Sequence, residues 1–432
     1  MSTSKGRRLA LARGVRFSCR QCGDCCRDFP VSLSREEIER FEAHDWTEII
    51  GTPGPAVTHD HQGVRALVYL RRKADGTCLF LGPDELCEIH RTLGEDFKPL
   101  ACRMFPFRVA DGPAVGPRPV VSGHFACSSL AHGDGHKLNR HRKDLDALVG
   151  ELHEVQPPGD ATADPRLPFH RGLSYQRDDL ALVFDLLARE LENASRPFPQ
   201  RILAASKFVS LVAGSRFTSL TSPTSQKAIR GFAGGIRDQV SRGLLAPPTA
   251  TPLPQRLLFR SILAFAARRD PAHLLTAGFL RRLTRRFGNL LAGLTFIVGS
   301  GAVRCIGRDR TVALGDVRRR APLADPLLPA ADGALTRYFL AQITGRFLYT
   351  GSFQVSDFLP ALGLLFRQYP VIILFARAAC MARGGDVLER DDWVSAVRTA
   401  DWNFGGVPWT SGLIGNVRAG LLADVESSLA FV

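Results

Sequence analysis

Lysine is scarce in this chain: 7 of the 56 basic residues are lysine and 49 are arginine. An arginine bias of that size runs through the whole composition, so the net charge of +14 does not by itself identify a nucleic-acid binder. No uninterrupted apolar run reaches the roughly 18 residues of a membrane span. "LLAGLTFIVGSGAV" contains Gly and Ser and stops at Arg304, and "YPVIILFARAAC" is interrupted by Arg377. Met1 to Arg16 has basic residues without an apolar stretch behind them, so no secretory signal is read there and a cytoplasmic location is expected. There is no G-x-S-x-G elbow, P-loop or HExxH pattern, which leaves serine-nucleophile, nucleotide-phosphate and zincin chemistry without their usual motifs. After residue 130 cysteine is almost missing. Cys305 and Cys380 are the exceptions, and their apolar settings mark them as small core residues.

What is present is unevenly placed. Residues 201–320 hold 21 Lys and Arg against 4 Asp and Glu, a local net charge of +17, so the rest of the chain sums to −3. At 432 residues two domains are the natural expectation. The linker is read in "VQPPGDATADPRLPFHRG", residues 155–172, where Pro, Gly and Asp cluster. This gives a cysteine-bearing domain over 14–150 and a helical domain over 173–432. The fold class expected is mainly α: a small irregular Cys-rich metal-binding domain with short helices, followed by an α-helical domain.

The first region offers short elements. Ser34 with Glu37 forms a capping box ahead of "REEIERF". "VRALVYLRR" reads as a strand paired with the segment before Cys78, Asp84 as the cap of a turn ending at Gly94, and Pro99 as the start of a helix stopped by Pro106. In the second region, Leu180, Val183, Phe184, Leu187 and Leu191 recur at helical spacing. Further helices are expected at 199–212, 225–242, 254–268 and 270–291. The last group is "ALTRYFLAQITGRFLY", "SDFLPALGLLFRQY", "PVIILFARAACMARGG" and "RDDWVSAVRTADWNF", packed as hairpins. "TVAL" in the 301–320 segment is strand-like.

Eight cysteines lie before residue 130: Cys19, Cys22, Cys25, Cys26, Cys78, Cys87, Cys102 and Cys127. "CRQCGDCC" spaces the first three by two residues, the gap that lets one turn aim two thiolates at one ion or cluster. In a reducing compartment such clustering favours metal over disulfides. Cys26 follows Cys25 directly, where a bacterial ferredoxin motif has three intervening residues and then Cys-Pro. Adjacent side chains are expected to diverge, giving Cys25 and Cys26 different metals or different roles. Eight thiols suit two zinc sites, two 4Fe–4S cubanes, or one site with spare cysteines. His90 and His124, each three residues from a cysteine, are weighed as further ligands and read as ordinary histidines. His59 and His61 are read as solvent-facing.

These residues carry a resemblance. "FSCRQCGDCCRDFPVSLSREEIERF" followed by "GTCLFLGPDELCEIHRTLGEDFKPLACRMFPF" closely resembles the YkgJ-type cysteine-cluster proteins, whose shared domain is described as zinc- or iron-chelating. The resemblance runs from about Arg16 to Gly135 and implies that all eight cysteines occupy metal-binding positions. Cys127 is followed by "SSLAHGDG" in place of Pro-Gly. The flagellin lysine N-methylases carry a similar cysteine-rich segment and use S-adenosylmethionine. They differ in having a tryptophan after the double cysteine and "YPR" after the later one, where this chain has Asp28-Phe29-Pro30 and "MFPF".

The function expected is therefore metal binding, by zinc or an iron–sulfur cluster, with the metal ion as the primary partner. A protein lysine methyltransferase is the alternative, and a factor binding nucleic acid or a membrane surface through basic helices is a second. Gly299-x-Gly301, with Asp316 downstream, would serve an adenosyl ligand but is better read as a turn after a buried helix. Arg281, Arg282, Arg285 and Arg286, with Arg318–Arg320, make the basic stretch that the second alternative needs, and they read first as a solvated face. The paired carboxylates at Glu36, Asp178 and Asp391 sit near helix starts, where the helix dipole favours them.

Overall fold

In the computed structural model the described residues are 8–51, 54–60, 67–158, 166–246, 248, 251–267, 279–308, 310–319, 329–349, 357–404 and 415–429 of the 432. Apolar periodicity in the second region becomes helix almost throughout. The stripe Leu180, Val183, Leu187 and Leu191 is buried on the Arg177–Glu192 helix. Helices Phe198–Gly214, Pro223–Ser241 and Leu253–Ala266 follow, each with proline in its first turn, where the missing N–H costs nothing. The next helix runs Phe279–Val298, later than the 270–291 expected, and residues 270–278 lie outside the described residues. "TVAL" contributes the short strand Val312–Ala313, antiparallel to Ala302–Val303.

The largest departure is at the centre. "SDFLPALGLLFRQY" and "PVIILFARAACMARGG" form one helix, Phe358–Arg383, which continues through Pro370. A mid-helix proline removes a hydrogen bond and costs about 3 kcal/mol. Here 22 of the 26 residues are buried, so apolar packing on every side outweighs that cost. By length and composition this is the one described helix able to cross a bilayer, and its apolar window is wholly enclosed by protein. Beside it run Arg390–Phe404 and Pro329–Thr344. Gly363 meets the C-terminal turn so closely that a Cβ would lie 1.7 Å from the Leu422 carbonyl oxygen. The buried Arg367 then donates to the carbonyls of Leu421, Leu422 and Asp424 and to Gln255 Oε1, at 2.9–3.1 Å. Asp392, fully buried, accepts from Arg308 (2.8 Å) and Arg383 (3.0 Å). Its role is that of a clasp between segments, beyond a favourable charge at a helix start.

The first region is built differently. A three-stranded sheet sets Ala10–Leu11 parallel to Val120–Gly123, which pairs antiparallel with Phe107–Ala110. This sheet docks on the Pro329–Thr344 helix, where Ser122 Oγ donates to the Ala341 carbonyl at 3.2 Å. Its residues Val120 and Val121, with Phe125 just beyond the strand, share the large core with the helices. A second, small core stands apart: Phe41, Trp46, Phe80, Ile89 and neighbours, with Cys78 inside it and Cys26, Cys87 and Cys102 against it. The predicted capping box is present, with Ser34 and Glu37 satisfying each other's backbone N–H ahead of Arg35–Ala43. Two local expectations change. Leu67–Leu70 pairs with Val57–Asp60, and contact with the Cys78 segment is reduced to a bridge between Arg72 and Cys78. The turn near Asp84 is not yet helical, and the helix Glu88–Leu93 begins after Cys87.

Candidate metal centre

Four chain segments bring the thiols together. "CRQCGDCC" enters as a loop after the strand Arg16–Phe17 and turns at Gly23, whose φ is 64°. A left-handed turn suits glycine, and a Cβ at Gly23 would lie 2.4 Å from Glu85 Oε2. The turn releases Asp24–Asp28, a single helical turn carrying Cys25 and Cys26. Arg27 pairs with Glu85 and donates to the Cys22 carbonyl at 2.9 Å, tying the loop to the segment that ends at Cys87. Arg72 supplies the other brace. Its guanidinium donates to the carbonyls of Arg27 (3.2 Å) and Phe29 (2.9 Å), which the short helix leaves open. The Cys78 N–H then donates to the Cys26 carbonyl at 2.8 Å. Cys87 opens Glu88–Leu93, and Cys102 sits on Leu100–Met104, a helix whose first N–H is held by Glu37 at 2.6 Å. Cys127 precedes Ser128–His132.

The electrostatics record which thiols are neighbours. Cys25 is lowered to about 7, first by the adjacent Cys26 side chain and then by Lys98, against its burial. Cys26 is driven upward by the Cys25 side chain, by burial, and by the nearby Cys78 and Cys87. Cys78 is pushed up to about 11, first by burial and then by Cys87, with Arg72 opposing. Burial drives Cys102 up, and Cys78, Cys87 and Cys25 add to it. Cys127 is pushed up to about 12 by burial, with Cys22 and Cys25 as its like-charge neighbours. Cys25, Cys26, Cys78, Cys87 and Cys102 thus form one neighbourhood, and Cys22 and Cys127 approach it from the side of Cys25. Cys19 is exposed.

Cys25 and Cys26 interact and are unequal: Cys25 is shifted down and Cys26 up. The histidines stand further off. His90 is exposed, and His59 pairs with Glu42 at 3.2 Å. His61 lies outside the described residues. His124 turns to Asp401, 2.7 Å from its carboxylate.

Among the described residues no group of three or more His, Cys, Asp or Glu side chains is closed tightly enough to hold an ion. The donors are adjacent without surrounding a common point. In chemistry the set fits a thiolate-bound metal: soft donors only, mutually repelling once deprotonated, and each with a single side-chain torsion to adjust. A cation among them would reverse every like-charge effect just described.

Residues 18–122 match the model of the CxxCxxCC family, "Putative zinc- or iron-chelating domain". The cysteine-bearing segment is thus similar to that domain over these residues. The match spans seven of the eight cysteines and ends short of Cys127. No curated protein and no solved structure matches the chain. The helical remainder, residues 123–432, stands outside the family match.

Sequence reading missed the braces around this domain. Arg398, on Arg390–Phe404, reaches Asp24 at 2.6 Å and the Ala126 carbonyl at 2.9 Å, joining the CxxCxxCC helix to the helical core. Asp401 on the same helix takes His124, Gln342 (2.9 Å) and the Ala126 N–H (3.2 Å). The signal available was the "RTAD" spacing, which puts Arg398 and Asp401 one turn apart on one face. The glycine pair read as a turn is one: Gly299 (φ 89°) ends the Phe279–Val298 helix, and a Cβ on Gly301 would enter the Phe296 ring. Phe296 fills the space that an adenosyl group would need there, and Asp316 pairs with Arg319 at 2.6 Å.

Proposed function

We propose that the CxxCxxCC domain binds zinc or an iron–sulfur cluster through its cysteine thiolates, in a reducing, cytoplasmic setting. Cys25, Cys26, Cys78, Cys87 and Cys102 are the central ligand set, Cys22 and Cys127 approach from the Cys25 side, and Cys19 completes the eight. The observation that carries this reading is the packing of Cys26, Cys87 and Cys102 against the small core that encloses Cys78, in the segment similar to the CxxCxxCC domain. Metal binding of this kind stabilises a domain whose own core is small, and an iron–sulfur centre would add electron transfer.

This chain's residues contribute preorganisation. Arg72 holds the end of the Cys25–Cys26 helix, Arg27 and Glu85 hold the loop against the Cys87 segment, and Glu37 holds the start of the Cys102 helix. Cys25, held near 7, is the thiol expected to lose its proton first and meet a cation first.

The test is elemental analysis and absorbance on protein purified without oxygen. Stoichiometric zinc in a colourless protein, or iron and sulfide with a broad band near about 400 nm, supports the reading. Cys78→Ser and Cys102→Ser should each lose the metal. Protein free of both metals after expression with each supplied, and unable to take up either, would falsify it.

A further inference from the structure

Eleven large hydrophobic side chains are exposed among the described residues, and eight of them lie between residues 211 and 298. Four form one stripe on the Phe279–Val298 helix: Phe287 (62 % exposed), Leu291 (49 %), Leu294 (49 %) and Val298 (72 %). Spacings of four, three and four residues keep them on a single face over three turns, about 16 Å. Phe296 lies on the opposite side of the helix and is buried. The helix end is fixed to the body, because Arg260 donates to the Ile297 carbonyl at 2.6 Å and Leu314 N–H to the Gly301 carbonyl at 2.7 Å. The stripe is therefore presented outward by an anchored element.

The segment that carries it is basic. Residues 201–320 hold 21 Lys and Arg against 4 Asp and Glu, and Arg256 on the preceding helix and Arg304 and Arg310 in the stretch after it are exposed. The helix itself holds Arg281, Arg282, Arg285 and Arg286 in its first turns and no acidic residue at all.

We propose that this face docks on an anionic membrane surface, with the stripe entering the headgroup–acyl boundary and the arginines meeting lipid phosphates. An apolar stripe on a cationic helix is the chemistry such a surface rewards on both counts. A second copy of the chain would cover the stripe only by bringing two +17 segments together. Nucleic acid would use the arginines but leave an aliphatic stripe wet, since base stacking calls for aromatic planes and only Phe287 supplies one. The proposal is independent of the metal reading.

The experiment is flotation of the full-length protein with phosphatidylcholine vesicles and with vesicles containing phosphatidylglycerol. Binding to the anionic vesicles only, weakening steeply as salt rises, is expected. Leu291→Asp with Leu294→Asp should lower partitioning by about tenfold or more, with unchanged circular dichroism, melting and metal content. Arg256→Glu with Arg304→Glu, which leaves the helix sequence intact, should lower it by severalfold. Equal binding to neutral vesicles, no binding to either, or full retention by both variants would overturn the proposal. So would a dimer dispersed by the leucine substitutions, or duplex and single-strand binding abolished by them in the absence of vesicle binding.

Discussion

Two cores sit in this molecule, and they are held together by different physics. The large one surrounds Phe358–Arg383 and is closed by apolar burial, with charged side chains such as Arg367 and Asp392 used as internal clasps. The small one, around Phe41, Trp46 and Phe80, is bounded by thiols and braced from outside by Arg72, Arg27 and Glu37. A region with few apolar residues and many irregular connections has to obtain its rigidity from polar braces and, on the reading above, from a metal. Helical packing is self-sufficient; the cysteine unit is not.

That contrast is broken most forcefully in the large core. Arg367→Ala leaves four backbone carbonyls and Gln255 without their donor in a dry interior. A loss of about 3–5 kcal/mol in urea unfolding is expected, with metal content per folded molecule unchanged. Phe80→Ala is the counterpart in the small core. It should remove about 3 kcal/mol from local opening, seen as lost amide-exchange protection over residues 31–102, and excess zinc should restore part of it. If Phe80→Ala moved the global midpoint as far as Arg367→Ala, the two cores would be one cooperative unit and the comparison would fail.

A smaller effect sharpens how the two communicate. Arg398 spans them, pairing with Asp24 beside Cys25 and with the Ala126 carbonyl ahead of Cys127. Arg398→Gln should cost about 2 kcal/mol. More tellingly, metal removal should lower the global midpoint of the natural protein and do so much less in this variant. Equal sensitivity in both would show that the coupling runs through another route.

The legibility of this chain follows the same division. The Ser34–Glu37 box and the Leu180–Leu191 stripe are local patterns, and each appears in the structure where the residues put it. The Phe358–Arg383 helix was divided in two because proline carries a strong local penalty, whereas the decision was made by burial contributed from the rest of the chain. The partners of Arg72, Arg398 and Asp401 lie far apart in sequence, so the "RTAD" spacing shows Arg398 and Asp401 sharing a face without showing what they hold, and Arg72 is one of 49 arginines that look alike.

The weakest effect concerns the seam itself and has a definite sign. His124 is packed among Phe29, Phe105 and Trp402 and lies 2.7 Å from the Asp401 carboxylate, with Arg108 also facing that carboxylate at 3.9 Å. Burial, and then Arg108, lower the affinity of His124 for a proton from its ordinary 6.5, outweighing the attraction of Asp401. Asp401 remains charged below the usual carboxylate range, since His124 and Arg108 outweigh its burial. The unfolded chain therefore protonates this histidine before the folded protein does. Stability should be full above about pH 6.5 and fall as the pH drops below it. Asp401 adds a further loss in the same direction only below its ordinary value near 3.8. His124→Asn keeps an N–H donor for Asp401 and has nothing to titrate, so urea midpoints at pH 7.5 and 5.5 should lie closer together in the variant than in the natural protein. Greater stability of the natural protein at the lower pH would mean that the His124–Asp401 ion pair, and not burial, governs the seam.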